Sequence, residues 1–229
     1  MPVPLVPVKA LAEAKGRLAP QVGPLQRRLL AIAMFEDVVA ALQAVPALEA
    51  PVVVSPDREV WRRADAMGCR VVEEPPGAGD LNAALAAAAD AAAGGVRGTR
   101  GGFTDASAGA LLVVAADLPL ASAAGLERVL EAAAGAPVAV VPSHDGGGTN
   151  VLAWRDPSSF APSFGPDSAE RHLAVPGAVR VDEPGLALDV DTVDDLRRVA
   201  GRLDPSLVTA RRLRDLDMLR PLTGSTEEA

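Results

Sequence analysis

Leu111-Leu-Val-Val-Ala-Ala-Asp-Leu-Pro-Leu120 is the stretch that decides the fold. It opens with an apolar run that is short enough to be a strand buried on both faces, as in parallel sheets. The run ends at Asp117, and ligands of open α/β sheets bind at the carboxyl ends of the strands. A buried carboxylate without a partner is costly, so Asp117 should face a cleft, a metal ion or a cation. On spacing alone, capping of the next helix and metal binding explain Asp117 equally well.

Length, composition and net charge limit the kinds of protein that this chain can be. The chain has 229 residues, 49% of them hydrophobic, so we expect one domain over residues 1–222 and a disordered tail over 223–229. The net charge of −8 argues against nucleic acid or an anionic membrane as the main partner. The single cysteine, Cys69, excludes an internal disulfide and is expected to be a buried apolar residue. Without a membrane-length apolar run or a recognisable signal peptide, a cytoplasmic protein is expected, and the Ala, Arg and Pro content hints at a bacterial source.

Strand and helix patterns alternate from Val3 to Val141, which predicts an α/β fold with a parallel sheet and right-handed crossovers. Residues 94–109 interrupt the alternation with Gly, Ser and Thr, and a plain disordered loop is favoured there over a functional lid. At residues 143–150 a polar loop leads directly into an apolar segment without an intervening helix. This break predicts one antiparallel strand beside the parallel ones. Residues 186–190 are predicted to be extended, ahead of a helix that Thr192 can cap.

A loop near the N-terminus carries the only two lysines of the chain, Lys9 and Lys15, together with Gly16 and Arg17. Glycine permits the close approach of a ligand, and cations with backbone amides form an anion site suited to a triphosphate. The residue order is neither that of a Walker motif nor that of a GxGxxG dinucleotide loop. Solvated surface cations are the alternative. The confinement of both lysines to this loop favours a nucleotide-phosphate site.

Two further carboxylates, Asp189 and Asp191, are predicted to point the same way, because side chains alternate along a strand. Carboxylates so close together repel each other unless a cation bridges them. Together with Asp117 they would supply three oxygen ligands for Mg²⁺. The alternative is that the pair caps the helix after Thr192, but Asp194 and Asp195 already suit that role.

Two polar segments complete the list of candidate sites. In Gly146-Gly-Gly-Thr-Asn150, several amides could converge on an anion, with Thr149 and Asn150 adding side-chain hydrogen bonds. A flexible hairpin turn is an equally good interpretation of this composition. In Phe164-Gly-Pro-Asp-Ser-Ala-Glu-Arg-His172, Ser168 begins a short helix whose N-terminus favours an anion. An ordinary capped surface helix is the alternative, and His172 taken alone is more typical of a structural role.

These motifs, taken in order, resemble those of the phosphoenolpyruvate and 2-phospho-L-lactate guanylyltransferases of coenzyme F-420 biosynthesis. The resemblance rests on Asp-Gly-Gly-Gly-Thr-Asn150, Phe-Gly-x-x-Ser-x-x-x-His172 and Leu-Asp-Val-Asp191. It extends to Pro-Val-Lys-x-x-x-x-Ala-Lys-Gly-Arg-Leu18 and to Ala-Asp-Leu-Pro-Leu120, and so covers nearly the whole chain. Ala-Asp-Leu-Pro is shared with many nucleotidyltransferases, whereas its combination with the other motifs is much more specific.

The resemblance implies a Rossmann-like nucleotidyltransferase fold of the GT-A type, a three-layer sandwich with a mostly parallel sheet and an antiparallel strand. It implies Mg²⁺ held by Asp117, Asp189 and Asp191, with GTP and a phosphorylated three-carbon acid as substrates. The residues that it implies for holding that acid are Thr149, Gly165 and Ser168. Lys15 and Arg17, with Asp117, are the expected catalytic residues, and the nucleotide is expected to contact Lys9, Lys15, Gly16, Arg17 and Asn82.

Several functions are compatible with these motifs. Phosphoenolpyruvate is preferred over 2-phospho-L-lactate as acceptor, because bacterial members of the family are associated with it and the composition looks bacterial. A molybdenum-cofactor nucleotidyltransferase would need a pterin pocket, and the Phe-Gly-x-x-Ser segment favours a small phosphorylated acid instead. A regulatory protein that binds GTP without catalysis leaves the three acids unexplained. A homodimer is a reasonable expectation.

Overall fold

The chain folds around one seven-stranded mixed sheet with helices on both faces. The computed structural model describes residues 1–74, 80–94 and 109–218. Most of the expected insertion and all of the expected tail lie outside the described residues. The strands are β1 (Val3–Pro7), β2 (Val52–Ser55), β3 (Arg70–Glu73), β4 (Leu111–Val114), β5 (Val138–Pro142), β6 (Thr149–Trp154) and β7 (Val179–Arg180). The helices are α1 (Pro24–Gln43), α2 (Arg58–Ala66), α3 (Leu81–Gly94), α4 (Ala123–Gly135), α5 (Ser168–Leu173), α6 (Pro184–Ala187), α7 (Val193–Ala200) and α8 (Val208–Asp215).

The sheet has the strand order β3-β2-β1-β4-β6-β5-β7. Its pairs are parallel except those of β6, which runs antiparallel to β4 and β5. The predicted break in the alternation is therefore confirmed, as is the mostly parallel sheet. Because β6 is reversed, its first residue, Thr149, lies at the edge of the sheet where the parallel strands end. This edge brings together the segments that carry the candidate site.

The three layers follow from alternation along the strands. On one face, Val6, Val53 and Leu112 pack in a core with residues of α1, α2 and α4. On the other face, Leu5 and Val113 pack with residues of α3. A third apolar cluster joins the N-terminal loop and α1 to α7 and α8. The predicted α/β sandwich is confirmed.

Local side chains and backbone conformations explain several helix boundaries. Ser122 Oγ accepts a hydrogen bond from Gly125 N (3.2 Å) at the start of α4, and Thr192 forms a capping box with Asp195 at the start of α7. Gly68 follows α2 with φ +75°, a conformation that favours glycine. Cys69 is buried as predicted, and burial raises the pKa of its thiol to about 11, which makes it a poor nucleophile. Within the described ranges, no helix is long and apolar enough to cross a membrane.

One element was predicted wrongly. Residues 186–190 do not form a strand, because α6 covers Pro184–Ala187 and the residues that follow are irregular. Proline suits the first turn of a helix, where its missing N–H costs nothing. The carbonyls of Leu186 and Ala187 are then satisfied by the side-chain amide of Asn150, at 3.1 and 2.8 Å. Alternation along a strand therefore does not explain the arrangement of Asp189 and Asp191, although their carboxylates do lie close together.

Candidate active site

Three carboxylates meet at the edge of the sheet where β4 ends. Asp117, Asp189 and Asp191 each place an oxygen so that the three atoms lie within 4.8 Å of one another. The backbone explains how two distant segments meet, since Val190 N donates to the carbonyl oxygen of Asp117 at 3.1 Å and its side chain is buried in the core. An all-oxygen set of this kind fits a hard divalent cation such as Mg²⁺.

Lys15 inserts its ammonium group among these acids. Its Nζ lies 2.5 Å from Asp117 Oδ2 and 3.1 Å from Asp191 Oδ1, and its side chain is only 8% exposed. Burial lowers the pKa of Lys15, but the charges and hydrogen bonds of Asp117 and Asp191 outweigh burial and raise the pKa overall. The ammonium is therefore charged at neutral pH. Lys15 adopts the left-handed backbone conformation (φ 55°) directly before Gly16.

The third acid, Asp189, is held from the other side. Asn150 Nδ2 donates to Asp189 Oδ1 at 3.1 Å, and His144 Nδ1 lies 3.5 Å from the same oxygen. His144 Nε2 lies 3.2 Å from Asp195 Oδ1. Burial is the main reason why the pKa of Asp189 is raised, and the charges of Asp117 and Asp191 raise it further. A bound cation would relieve that repulsion, so the donor set and its electrostatics both fit a metal ion.

A cleft of about 1020 Å³ opens beside the acids. Its volume is sufficient for a nucleotide and a small second substrate. The predicted site residues that line it are Lys9, Lys15, Gly16, Arg17, Asp117, Thr149 and Asp191. Arg17 is exposed at its mouth, with NH1 3.5 Å from Asp191 Oδ2. The predicted phosphate loop and the predicted metal ligands thus lie together.

Four predicted site residues are not among those that line the cleft: Asp189, which lies beside Asp117 and Asp191, and Gly165, Ser168 and Asn82. Gly165 and Ser168 lie next to Phe164, which does line it, and Ser168 is buried. Asn82 forms two hydrogen bonds with the Phe164 backbone: its Oδ1 accepts from Phe164 N (2.7 Å) and its Nδ2 donates to Phe164 O (3.1 Å). In the structure Asn82 therefore positions the Phe164 loop, and its contact with the nucleotide remains a prediction.

The glycine loop before β6 is a hairpin turn. Gly146 N donates to Ser143 O, Gly147 N to Asp145 Oδ1, and Gly148 N to Ser143 Oγ. These amides are satisfied within the loop, which favours the turn over the anion site. A Cβ added at Gly148 would lie only 2.8 Å from Ser143 Oγ, so the tight turn itself accounts for this glycine.

The sequence analysis gave one residue of the site the wrong role and missed another. Asn150 was expected to face a ligand, yet its amide is buried and holds the segment that carries Asp189. His144 was not singled out, although it bridges Asp189 and Asp195. Its position in Ser-His-Asp, directly before the glycines, was the only available signal, because both of its partners lie more than 40 residues further along the chain.

His172 is buried next to Thr149, and it makes the stability of the protein depend on pH in a testable way. Burial, aided by the charge of Arg171, lowers the pKa of His172 to about 4. The unfolded chain therefore binds a proton there near pH 6.5, which the folded protein binds only near pH 4. The resulting stability is fully present above pH 6.5 and declines as the pH falls toward 4, by about 2 kcal/mol between pH 7 and pH 5.

We expect the free energy of unfolding, measured with urea at both pH values, to fall by about that much more in the wild-type protein than in His172→Asn. Using the difference between the two proteins cancels the titration of all other groups, which both proteins share. An equal fall in both proteins would contradict the depressed pKa.

The chain is similar in sequence to known guanylyl transferases. Residues 3–200 match the family described as "Guanylyl transferase CofC like". A phosphoenolpyruvate guanylyltransferase of Nocardia farcinica is 43% identical over 216 residues, which cover 93% of this chain and 90% of the relative. One from Sphaerobacter thermophilus is 35% identical, covering 87% and 92%.

Solved structures agree on the fold. A protein from Desulfovibrio desulfuricans G20, described as a candidate nucleotide-diphospho-sugar transferase, matches with a TM-score of 0.72 at 18% identity, covering 96% of this chain and 97% of that one. A cytidylyltransferase from Leptospira borgpetersenii matches with a TM-score of 0.55 at 13% identity, covering 100% and 99%. At such identities the likeness bears on the fold alone.

Proposed function

Because the chain belongs to the CofC-like guanylyl transferase family, we propose that it transfers GMP from GTP to phosphoenolpyruvate. The products are enolpyruvoyl-diphospho-5′-guanosine and pyrophosphate, and the reaction belongs to coenzyme F-420 biosynthesis. The observation that carries the proposal is the contact of Lys15 with Asp117 and Asp191 in the wall of the cleft. Because of this contact, the expected phosphate-binding cation and the expected metal ligands are close enough together to bind the same triphosphate. The names of the relatives support phosphoenolpyruvate as the acceptor.

The chemistry needs positioning more than it needs a protein nucleophile. An oxygen of the acceptor phosphate attacks the α-phosphorus of GTP in line, and a new P–O–P linkage forms. The bond from the α-phosphorus to the bridging oxygen breaks, and pyrophosphate leaves with the electron pair. The attacking phosphate is already ionised at neutral pH, so no general base is required.

The side chains divide this task between them. Lys15 and Arg17 neutralise phosphate charge that grows on the leaving group. Asp117, Asp189 and Asp191 would hold Mg²⁺, which supplies charge neutralisation when bound. Thr149 lines the cleft next to these groups, where it can hold the acceptor, and we propose that Gly165 and Ser168 hold the acceptor with it. Both substrates are cytoplasmic metabolites, so we place the enzyme in the cytoplasm.

The proposal is tested by pyrophosphate release from the purified protein with Mg²⁺ and GTP. Three reactions are compared: phosphoenolpyruvate, 2-phospho-L-lactate and no acceptor. We expect release with phosphoenolpyruvate only, and the product should be confirmed by mass spectrometry. Release with 2-phospho-L-lactate only would keep the reaction and overturn the acceptor. No release with either acid, while GTP still binds, would overturn the proposed function.

A further inference from the structure

The hydrogen bonds of His172 determine which of its ring nitrogens carries the proton. Ser163 N donates to His172 Nε2 at 3.0 Å. A backbone N–H can only donate, so Nε2 must offer its lone pair and carries no hydrogen. His172 is 1% exposed, and its pKa is lowered to about 4 by burial and by Arg171. The ring is therefore neutral near pH 7, and its single proton lies on Nδ1.

This tautomer fixes the role of Thr149. His172 Nδ1 lies 3.0 Å from Thr149 Oγ1, and with the proton on Nδ1 the threonine oxygen is the acceptor. The hydroxyl hydrogen must then point away from His172. Thr149 is buried but lines the cleft. Across residues 1–74, 80–94 and 109–218, the structure shows no acceptor for that hydrogen.

From these contacts, and resting on the proposed function, we propose that His172 is a positioning residue that makes Thr149 a hydrogen-bond donor toward the acceptor substrate. A hydroxyl that is free to rotate can accept as well as donate. Thr149 instead presents a proton, which matches the carboxylate or phosphate oxygen of an anionic acid. His172 thus contributes to acceptor selection through Thr149 and without touching the acceptor.

Other contacts hold the loop that carries Ser163, so this role can be separated from loop stability. Arg171 NH2 donates to Ser163 O at 2.8 Å. Asn82 forms its two hydrogen bonds with the Phe164 backbone. The Phe164 ring also packs edge-on against the His172 ring, with centroids 5.0 Å apart. The loss of the single bond from Ser163 to His172 should therefore leave the loop in place.

Two substitutions test the two hydrogen bonds of His172 separately, because each can keep one bond and remove the other. In His172→Asn, the side-chain amide nitrogen can occupy the place of Nδ1 and donate to Thr149. In His172→Gln, the amide oxygen can reach the place of Nε2 and accept from Ser163 N, but the donor to Thr149 is lost. We expect the KM for phosphoenolpyruvate to stay within about threefold of wild type in His172→Asn and to rise by about tenfold or more in His172→Gln. The KM for GTP should change less than twofold in both.

The Thr149→Val background tests whether His172 acts through Thr149. Without the hydroxyl, His172→Gln should raise the KM for phosphoenolpyruvate no further, as a double-mutant cycle requires. Equal impairment in His172→Asn and His172→Gln, or an effect of His172→Gln that persists in Thr149→Val, would overturn the inference.

A direct readout is the ring-nitrogen NMR spectrum of the wild-type protein. The chain has only two histidines, so a His144→Asn sample assigns the signals. We expect His172 to be protonated on Nδ1 alone, and a proton on Nε2 would overturn the inference whatever the acceptor. Failure of the proposed function is distinct, because it appears as a wild-type protein that releases no pyrophosphate with either acid.

Discussion

Replacing Asp117 with asparagine should reduce pyrophosphate release at saturating substrates by about a thousandfold or more. Asn keeps the size of the side chain and its hydrogen bond to Lys15, but it removes one of the three charged oxygens that we propose as metal ligands. The side chain is 28% exposed, and Asp191 still pairs with Lys15, so the loss of this one ion pair should not prevent folding. The variant should therefore lose nearly all turnover although it still folds. Circular dichroism and thermal unfolding would verify the fold.

A metal-binding measurement separates this explanation from a general disturbance. Titration calorimetry with Mn²⁺ should show weaker binding to Asp117→Asn than to wild type. The matched control is Asp182→Asn, which removes an 82% exposed carboxylate paired with Arg180 on the surface and should leave turnover and metal binding unchanged. Near-normal activity of Asp117→Asn in the presence of Mg²⁺ would contradict the metal assignment.

The part of the fold that the sequence predicts well is the part with strong local signals. The apolar run that ends at Asp117 is a buried central strand, and the missing helix before Val151 correctly predicts the reversed β6. Ser122 and Thr192 cap their helices because capping depends on residues only three positions apart. These features need no knowledge of distant segments.

The segment before Asp189 shows where local patterns fail. Its alternating residues fit a strand, but Pro184 starts a helical turn and Asn150 completes the bonding of the turn's last carbonyls. Asn150 lies more than 30 residues away, so no pattern within the segment could reveal it. The carboxylates converge all the same, because the bond from Val190 N to Asp117 O fixes the segment against β4.

The contact of Lys15 with Asp117 spans 102 positions and could be anticipated only as a general expectation that a carboxylate at a strand end faces a cation. The sequence predicted both partners but assigned them to different ligands, the lysine to phosphate and the acid to a metal. In the structure Lys15 contacts two of the carboxylates that are proposed to bind the metal, so the lysine and a metal ion would compete for them. That competition has a measurable consequence.

Replacing Lys15 with methionine should reduce turnover by about a hundredfold or more and increase the stabilisation that added Mg²⁺ provides. Met fills a similar volume without the charge, so phosphate neutralisation is lost. Removing one partner of a fully buried ion pair costs about 3–5 kcal/mol, and we expect about 1–2 kcal/mol here because Asp117 and Asp191 are partly exposed. If Mg²⁺ binds these acids as proposed, it has to displace the ammonium from Asp117 and Asp191 in wild type, whereas in Lys15→Met the ammonium is absent.

The measurement is the melting temperature with and without MgCl₂, in the absence of nucleotide. Lys9→Met is the matched control, since it removes the other lysine of the same cleft, whose side chain is exposed, and it should leave the Mg²⁺ shift at the wild-type value. A larger shift in Lys15→Met alone means that lysine and metal share the acids, so binding of nucleotide with Mg²⁺ would redirect Lys15 from carboxylate to phosphate. An equal shift in all three proteins would mean that the cation binds elsewhere, and the role of Lys15 would then be to hold Asp117 and Asp191 in place.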